Sequence, residues 1–203
     1  AGKRKVFIMK LGFIGTGNMA SAIMGGVIKK NIFPAEEIIG ADLFAPGRER
    51  VKEQFGINVT DSNKEVIEKA EVVILSVKPQ FYADVIAEIK DIVKPEQLII
   101  TIAPGKTLTW LADQFGKAVK ITRTMPNTPA MVGEGMTAAC PNEHMTEEEI
   151  AYVKTILESF SRVEVVPEKL MDAVTAVSGS SPAYVYMMIE AMADAAVSGG
   201  MPR

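Results

Sequence analysis

Two kinds of hydrophobic spacing alternate along most of the chain. Short runs of adjacent apolar residues occur at positions 11–14, 38–41, 57–59, 72–75, 98–102, 119–122, 136–140 and 163–166. Such near-continuous runs predict strands of a sheet covered on both faces. Between them, apolar positions recur at helical spacing. Met19, Ala20, Ile23, Met24, Val27 and Ile28 form one such set, and Val85, Ile86, Ile89 and Ile92 form another within residues 81–93. Further helices are predicted from residue 63 or so to 69, over 107–115, and along Ile150, Val153, Ile156, Leu157 and Phe160. Their ends carry signals of their own. Gly56 closes a charged helix, Asp61-Ser62-Asn63 offers N-caps, and Thr146 with Glu149 makes a capping box.

Strands alternating with helices over residues 9–166 predict an α/β fold, a Rossmann-like, doubly wound and mostly parallel sheet. Beyond 166 the pattern is helical only. Leu170, Met171, Val174 and Val177 mark one helix, and a second starts near Pro182 and runs to about Ser198. The second is apolar on more than one face, through Val185, Met187, Met188, Ile189 and Met192. A helix apolar nearly all round must be buried nearly all round, so further helices, its own or a partner's, are expected to cover it.

The chain has 203 residues, 48% hydrophobic and 23% charged, with a net charge of −3. That is an ordinary globular composition, and the absence of a long basic run argues against nucleic-acid or membrane-surface partners. No apolar run is long enough for a membrane span, and no signal peptide is visible, so a cytoplasmic location is expected. Residues 1–8, ahead of Met9, read as a leftover of cloning, with Met9 the natural start. Cys140 is the single cysteine and His144 the single histidine. No internal disulfide is possible and no metal site is expected. A Cys-His nucleophilic dyad loses to the plainer reading of a buried thiol and a surface histidine.

The chemistry concentrates where strands end. After the first strand comes Gly15-Thr16-Gly17-Asn18-Met19-Ala20, a G-x-G-x-x-A turn entering a helix. In that context it is a dinucleotide-binding fingerprint: Gly15 makes the tight turn, Gly17 lets backbone approach a pyrophosphate, and the helix start favours the anion. Asp42 ends the second strand, where an acidic residue bonds a ribose 2′-hydroxyl and favours NAD. Arg48 and Arg50 could instead receive a 2′-phosphate. Ligands of doubly wound sheets lie beyond the carboxyl ends of the strands. This positions the turns Ser76-Val77-Lys78-Pro79 and Ala103-Pro104-Gly105 along the crevice. Arg123-Thr124-Met125-Pro126-Asn127-Thr128-Pro129 reads as a stiff loop, either a linker or a holder of Asn127 and Thr128 toward the nicotinamide. The Ser178-Gly179-Ser180-Ser181-Pro182 turn offers hydroxyls and free N–H groups suited to a small carboxylate, or merely a capping serine.

Taken together and in order, these motifs resemble the pyrroline-5-carboxylate reductase family. The matches are Gly12-Phe13-Ile14-Gly15-Thr16-Gly17-Asn18-Met19-Ala20, Val77-Lys78-Pro79, Met125-Pro126-Asn127-Thr128-Pro129, Asp172-Ala173-Val174-Thr175-Ala176, Ser178-Gly179-Ser180 before Pro182-Ala183-Tyr184, and Gly200-Met201-Pro202-Arg203. The resemblance implies NADPH- or NADH-dependent hydride transfer to the C=N carbon of 1-pyrroline-5-carboxylate, giving L-proline. It implies that Ile14, Gly15, Thr16, Gly17, Asn18 and Met19 hold the pyrophosphate, with Asp42 and Asn63 near the adenosine ribose. Ser76, Val77, Lys78, Pro79, Ala103, Pro104, Gly105 and Asn127 would line the nicotinamide side. Glu168, Thr175, Ser180, Ser181 and Pro182 would face substrate, with Lys78, Ser180 and Ser181 closest to the chemistry and Lys78 or Tyr184 as possible proton donors.

Three departures from the family pattern stand out: Ser181 replaces a usual Gly, Pro104 a usual Ala, and Asp42 the small hydroxyl residue common in NADPH users. Family members also continue past Arg203 with helices that build a homodimer or higher oligomer, so the resemblance implies a helical domain cut short here. Two alternatives remain at this stage: a β-hydroxyacid dehydrogenase-like reductase, or a cofactor-binding regulatory relative without turnover.

Overall fold

The computed structural model describes residues 7–203. The cloning-leftover reading therefore lies, for residues 1–6, outside the described residues. Among the described residues, eight strands form one sheet in the order β3-β2-β1-β4-β5-β6-β7-β8. The strands are β1 (Met9–Ile14), β2 (Ile38–Ala41), β3 (Asn58–Thr60), β4 (Ala70–Leu75), β5 (Leu98–Thr101), β6 (Lys120–Met125), β7 (Gly135–Pro141) and β8 (Ser161–Val165). From β3 to β6 every pairing is parallel. β7 runs antiparallel to β6, and β8 runs parallel to β7. The carboxyl ends of β1, β2, β4, β5 and β6 consequently share one edge. The order reverses beside β1, which is the switch point where such sheets take ligands.

Helices cover both faces, as the unbroken apolar runs require. On one face lie α1 (Asn18–Lys29), α2 (Ala45–Phe55) and α6 (Glu147–Leu157), which bury Ile23, Met24, Val51 and Ile156 against Leu11, Phe13, Val72 and Ile74. On the other lie α3 (Asn63–Lys69), α4 (Tyr82–Ile89) and α5 (Leu108–Phe115), where Val66, Ile86 and Leu111 meet Ile14, Val73, Leu75 and Ile99. The end signals hold. Ser62 caps α3 by accepting from the Glu65 N–H, Gly56 closes α2 in the left-handed region, and Thr146 with Glu149 forms the complete capping box.

Two readings need correction. Arg123, Thr124 and Met125 are not loop: they complete β6, with Arg123 only 3% exposed. A run containing arginine and threonines lacks the apolar signal of a strand, and pairing with both β5 and β7 overrides it. The helix expected through Val177 is also broken. After a short 3₁₀ turn comes α7 (Met171–Val174), and then a π-helical turn over Thr175–Gly179. The last helix, α8 (Ser181–Ser198), buries no residue. Its Tyr184, Met187, Met188, Ile189 and Met192 are all more than half exposed.

Candidate active site

The glycine turn is built by close contact. Gly15 has φ +97°, and a Cβ there would lie 2.8 Å from the Ser76 carbonyl carbon. No L side chain is comfortable at that dihedral, and none has room. Its N–H donates to the Ala41 carbonyl at 2.7 Å, and its carbonyl accepts from Ser76 Oγ at 2.7 Å, so β1, β2 and β4 are joined at their ends. Gly17 differs. It is the N-cap of α1 with ordinary φ −72°, and a Cβ there would meet nothing within 4 Å. No side chain caps the first turn of α1. A cleared approach beside uncapped N–H groups fits a dinucleotide pyrophosphate.

Asp42 stands where expected, at the end of β2, but is not an idle carboxylate. Its Oδ2 accepts from the Thr16 N–H at 2.8 Å and from Thr16 Oγ1 at 3.0 Å, and its Oδ1 accepts from the Phe44 N–H at 2.9 Å. It thus also holds the glycine turn in shape. Beside it a cavity of about 400 Å³ is lined by Asp42, Leu43, Phe44, Asn63, Phe81, Val85 and two more carboxylates, Asp84 and Glu88, together with Gly15 and with Val77, which was expected on the nicotinamide side. Leu43 and Phe44 are 84% and 67% exposed, apolar surfaces left free at the mouth. Asn63 Nδ2 donates to Glu88 Oε2 at 2.8 Å across it. Neither Arg48 nor Arg50 lines this cavity. Arg48 donates to the Asp42 carbonyl, and Arg50 reaches the Thr16 carbonyl at 2.8 Å. Sequence reasoning named Asp42 and Asn63 but missed Asp84 and Glu88, which lie between the apolar positions of the helix predicted over 81–93.

The remaining candidates divide. Ile14 is fully buried and Ala103 nearly so, so each can offer only backbone to a ligand, and the Ile14 carbonyl already accepts from the Ser76 N–H at 2.8 Å. Ser76 spends its hydroxyl on Gly15. Lys78 is exposed, with no ion pair or side-chain hydrogen bond among the described residues. Gly105, at φ +73°, borders open space. Tyr82, fully buried, joins two strand ends: its hydroxyl donates to the Leu75 carbonyl and accepts from the Ile102 N–H at 3.3 Å. Burial pushes its phenol above the usual range, so it stays protonated.

The helical segment docks on the far half of the sheet. Met171, 1% exposed, packs against Ala138 and Cys140. Burial raises the Cys140 thiol pKa and Glu168 adds to the shift, so this thiol is a core group and not a nucleophile. Glu168 Oε1 accepts from the Leu108 N–H at 2.7 Å and from Arg123 Nη1 at 2.8 Å. Only Oε2 is left for any other contact. Farther along, the segment reaches the carboxyl end of β6. Asn127 Nδ2 donates to Ser178 Oγ at 3.4 Å, its Oδ1 being held by the Met136 N–H at 2.8 Å. A Cβ on Gly179 would lie 2.6 Å from Met125 Cε. The Ser178–Ser181 turn thereby stands on the same edge as the glycine turn. Thr175 Oγ1 donates to the Met171 carbonyl, and the Ser180 hydroxyl bends back to the Thr175 carbonyl at 3.2 Å. Ser181 opens α8 beside Pro182, and no side chain caps the helix, so the plain capping role falls away.

Among the described residues, no group of three or more His, Cys, Asp or Glu is placed to hold a metal, and no helix is long and apolar enough to cross a membrane.

Comparison with known proteins agrees with this geometry at both ends of the chain. Residues 10–105 match the family model described as NADP oxidoreductase coenzyme F420-dependent, and residues 168–203 match the model for pyrroline-5-carboxylate reductase dimerisation. The chain is 45% identical over 198 residues to pyrroline-5-carboxylate reductase of Escherichia coli, covering 96% of this chain and 72% of the relative. It is 40% identical over 197 residues to the enzyme of Methanosarcina acetivorans, again covering 96% and 72%. Its fold superposes with TM-score 0.87 on the NADP-bound pyrroline carboxylate reductase of Plasmodium falciparum, at 33% identity over 97% of this chain and 72% of that one. Prephenate dehydrogenase of Aquifex aeolicus shares the fold alone, with TM-score 0.69 at 14% identity. The chain belongs to the pyrroline-5-carboxylate reductase family.

Proposed function

We propose that this protein reduces the C=N bond of 1-pyrroline-5-carboxylate to give L-proline, as an NAD(P)H-dependent imine reductase. The observation that carries the reading is the docking of the Ser178–Ser181 turn, through Met125 and Asn127, on the edge of the sheet that holds the glycine turn. Residues 9–166 then form the cofactor domain and 167–203 the start of a helical substrate and dimerisation domain.

When bound, the reduced nicotinamide supplies the hydride that adds to the C=N carbon. The uncapped first turn of α1 and the open side of Gly17 take the pyrophosphate, and the cavity beside Asp42 takes the adenosine. Ser76, Lys78, Pro79, Ala103, Pro104 and Gly105 line the nicotinamide side, and Val77 stands between that side and the cavity beside Asp42. Ser181, at the start of α8, takes the substrate carboxylate, while the Oε2 of Glu168 is the one carboxylate oxygen of that residue left to face substrate. A protonated imine is already electrophilic, so orientation matters more than a strong acid. Lys78, exposed on the turn that leaves β4, is a candidate proton donor.

Within this reading NADH is the better cofactor. Asp42, Asp84 and Glu88 give the adenosine cavity three carboxylates, while Arg48 and Arg50 are turned onto backbone carbonyls. A 2′-phosphate would enter a field of its own sign. The exposed, apolar α8 supports a homodimer or higher homo-oligomer through that helix.

The test incubates the protein with 1-pyrroline-5-carboxylate and NADH or NADPH. Proline should form in amounts equal to the cofactor consumed. Tight cofactor binding with no imine turnover would instead favour a regulatory relative, and turnover of a hydroxyacid alone would favour a β-hydroxyacid dehydrogenase-like enzyme.

A further inference from the structure

The carboxyl edge of the sheet is tied together by three hydroxyls, each taking a carbonyl from the end of a neighbouring strand. Ser76 Oγ donates to the Gly15 carbonyl at 2.7 Å, Thr124 Oγ1 to the Thr101 carbonyl at 2.8 Å, and the Tyr82 hydroxyl to the Leu75 carbonyl. Tyr82 does more than the other two, because its oxygen also accepts the Ile102 N–H at 3.3 Å. One fully buried oxygen is thus bonded to the residue before Ser76 and to the residue before Ala103.

A phenol in this place is not demanded by packing. The ring belongs to the apolar cluster that also holds Leu75, Val85, Ile86 and Ala103, and a phenylalanine would fill the same space. Burying a hydroxyl costs free energy unless it is bonded. Both of its bonds go to main chain, so they fix backbone separation and not the rotamer of another side chain. The two segments held in this way are the turns that leave β4 and β5 for the crevice.

We propose that Tyr82 is a positioning residue for the nicotinamide half of the site, holding Ser76 to Pro79 at a set distance from Ala103 to Gly105. The inference rests on the cofactor-crevice reading above. It concerns the turns that leave β4 and β5, of which only Val77 also lines the cavity beside Asp42, so a ligand without nicotinamide should feel the change least.

Two ligands divide the crevice. ADP-ribose carries the adenosine and pyrophosphate but no nicotinamide, whereas NADH carries all three. Titration of Tyr82→Phe should show NADH binding weakened by about tenfold and ADP-ribose binding changed by less than about twofold. In steady state the KM for NADH should rise more than that for the imine. As a control, Thr137→Val removes another buried hydroxyl, bonded to Ser161 Oγ at 2.7 Å between β7 and β8. It should lower Tm while leaving both affinities in place. A Tyr82→Phe protein whose two affinities are unchanged, or fall by the same factor, would overturn the proposal. Should that variant not fold, Tyr82→Met keeps an apolar filler and carries the same comparison. If the unaltered protein bound neither ligand, the crevice reading itself would fail, and the same titration would show it.

Discussion

Arg123 and Glu168, 45 positions apart, form a charge-assisted hydrogen bond of 2.8 Å in which the two partners are unequally buried. The arginine side chain is 4% exposed and the glutamate 31%. Removing one partner is therefore not equivalent to removing the other. Glu168→Ala strands a buried guanidinium, with only the distant Asp172 at 3.9 Å, and also frees the Leu108 N–H. We expect a loss of about 2–3 kcal/mol, below the ~3–5 kcal/mol of a fully buried pair because Glu168 is partly solvated. Arg123→Met leaves a carboxylate that keeps the Leu108 N–H and some water, at a cost of about 1 kcal/mol. Urea denaturation checks the order, and a larger loss for Arg123→Met would refute it.

The two glycines of the fingerprint should fail in different ways. Gly15→Ala forces a Cβ onto the Ser76 backbone at an unfavourable φ, so it should destabilise the fold by about 1–3 kcal/mol or more. Gly17→Val meets open space at an ordinary φ, so stability should change little. It places a branched side chain where the pyrophosphate must approach, and cofactor affinity should fall about tenfold or more. Thermal melts and cofactor titrations on both variants check the contrast. Unchanged affinity in a folded Gly17→Val protein would remove the pyrophosphate from that turn.

The sequence made the sheet legible because buried parallel strands need near-continuous apolar runs, as at Val72-Val73-Ile74-Leu75. It hid the end of β6, because Arg123 is buried by an ion pair whose partner lies 45 positions away. The same limit applies to the site. Gly15, Gly17 and Asp42 announce themselves by local spacing, whereas Asp84 and Glu88 gain meaning only when α4 is laid beside the end of β2. Tyr82 carried no signal, since a phenol with two main-chain partners leaves no pattern in the chain. The π-helical turn at Thr175–Gly179 was equally invisible, and its Gly179 lies where a Cβ would be 2.6 Å from Met125 Cε.

Cofactor choice should respond to the charge of the adenosine cavity. Asp42→Ser removes one of three carboxylates and should raise the ratio of kcat/KM for NADPH to that for NADH by about tenfold. Because Asp42 also holds Thr16, affinity for both cofactors should fall somewhat. Asp84→Asn leaves the glycine turn untouched and should shift the same ratio in the same direction without that common loss. A ratio that does not move in either variant would mean that the ribose is bound elsewhere.

The last expectation concerns α8. Over its 18 residues no side chain is buried, yet Val185, Met187, Met188, Ile189 and Met192 are each more than half exposed. Exposed apolar surface of this extent marks an interface. The segment also matches a dimerisation model, so a second copy of the chain is the expected cover. Sedimentation should show self-association that strengthens with protein concentration. Placing a charge in the stripe with Ile189→Lys should weaken it, because a lysine buried at an apolar contact must either lose its charge or keep its water. Cofactor binding should survive in that variant, since the glycine turn and the Asp42 cavity lie on other elements. Imine reduction should fall with the fraction of protein left unassociated, because α8 begins at the Ser180-Ser181-Pro182 turn and its partner sets how that turn is held. A variant that is monomeric and fully active at every concentration would show that α8 stabilises itself and that the substrate turn needs no second copy.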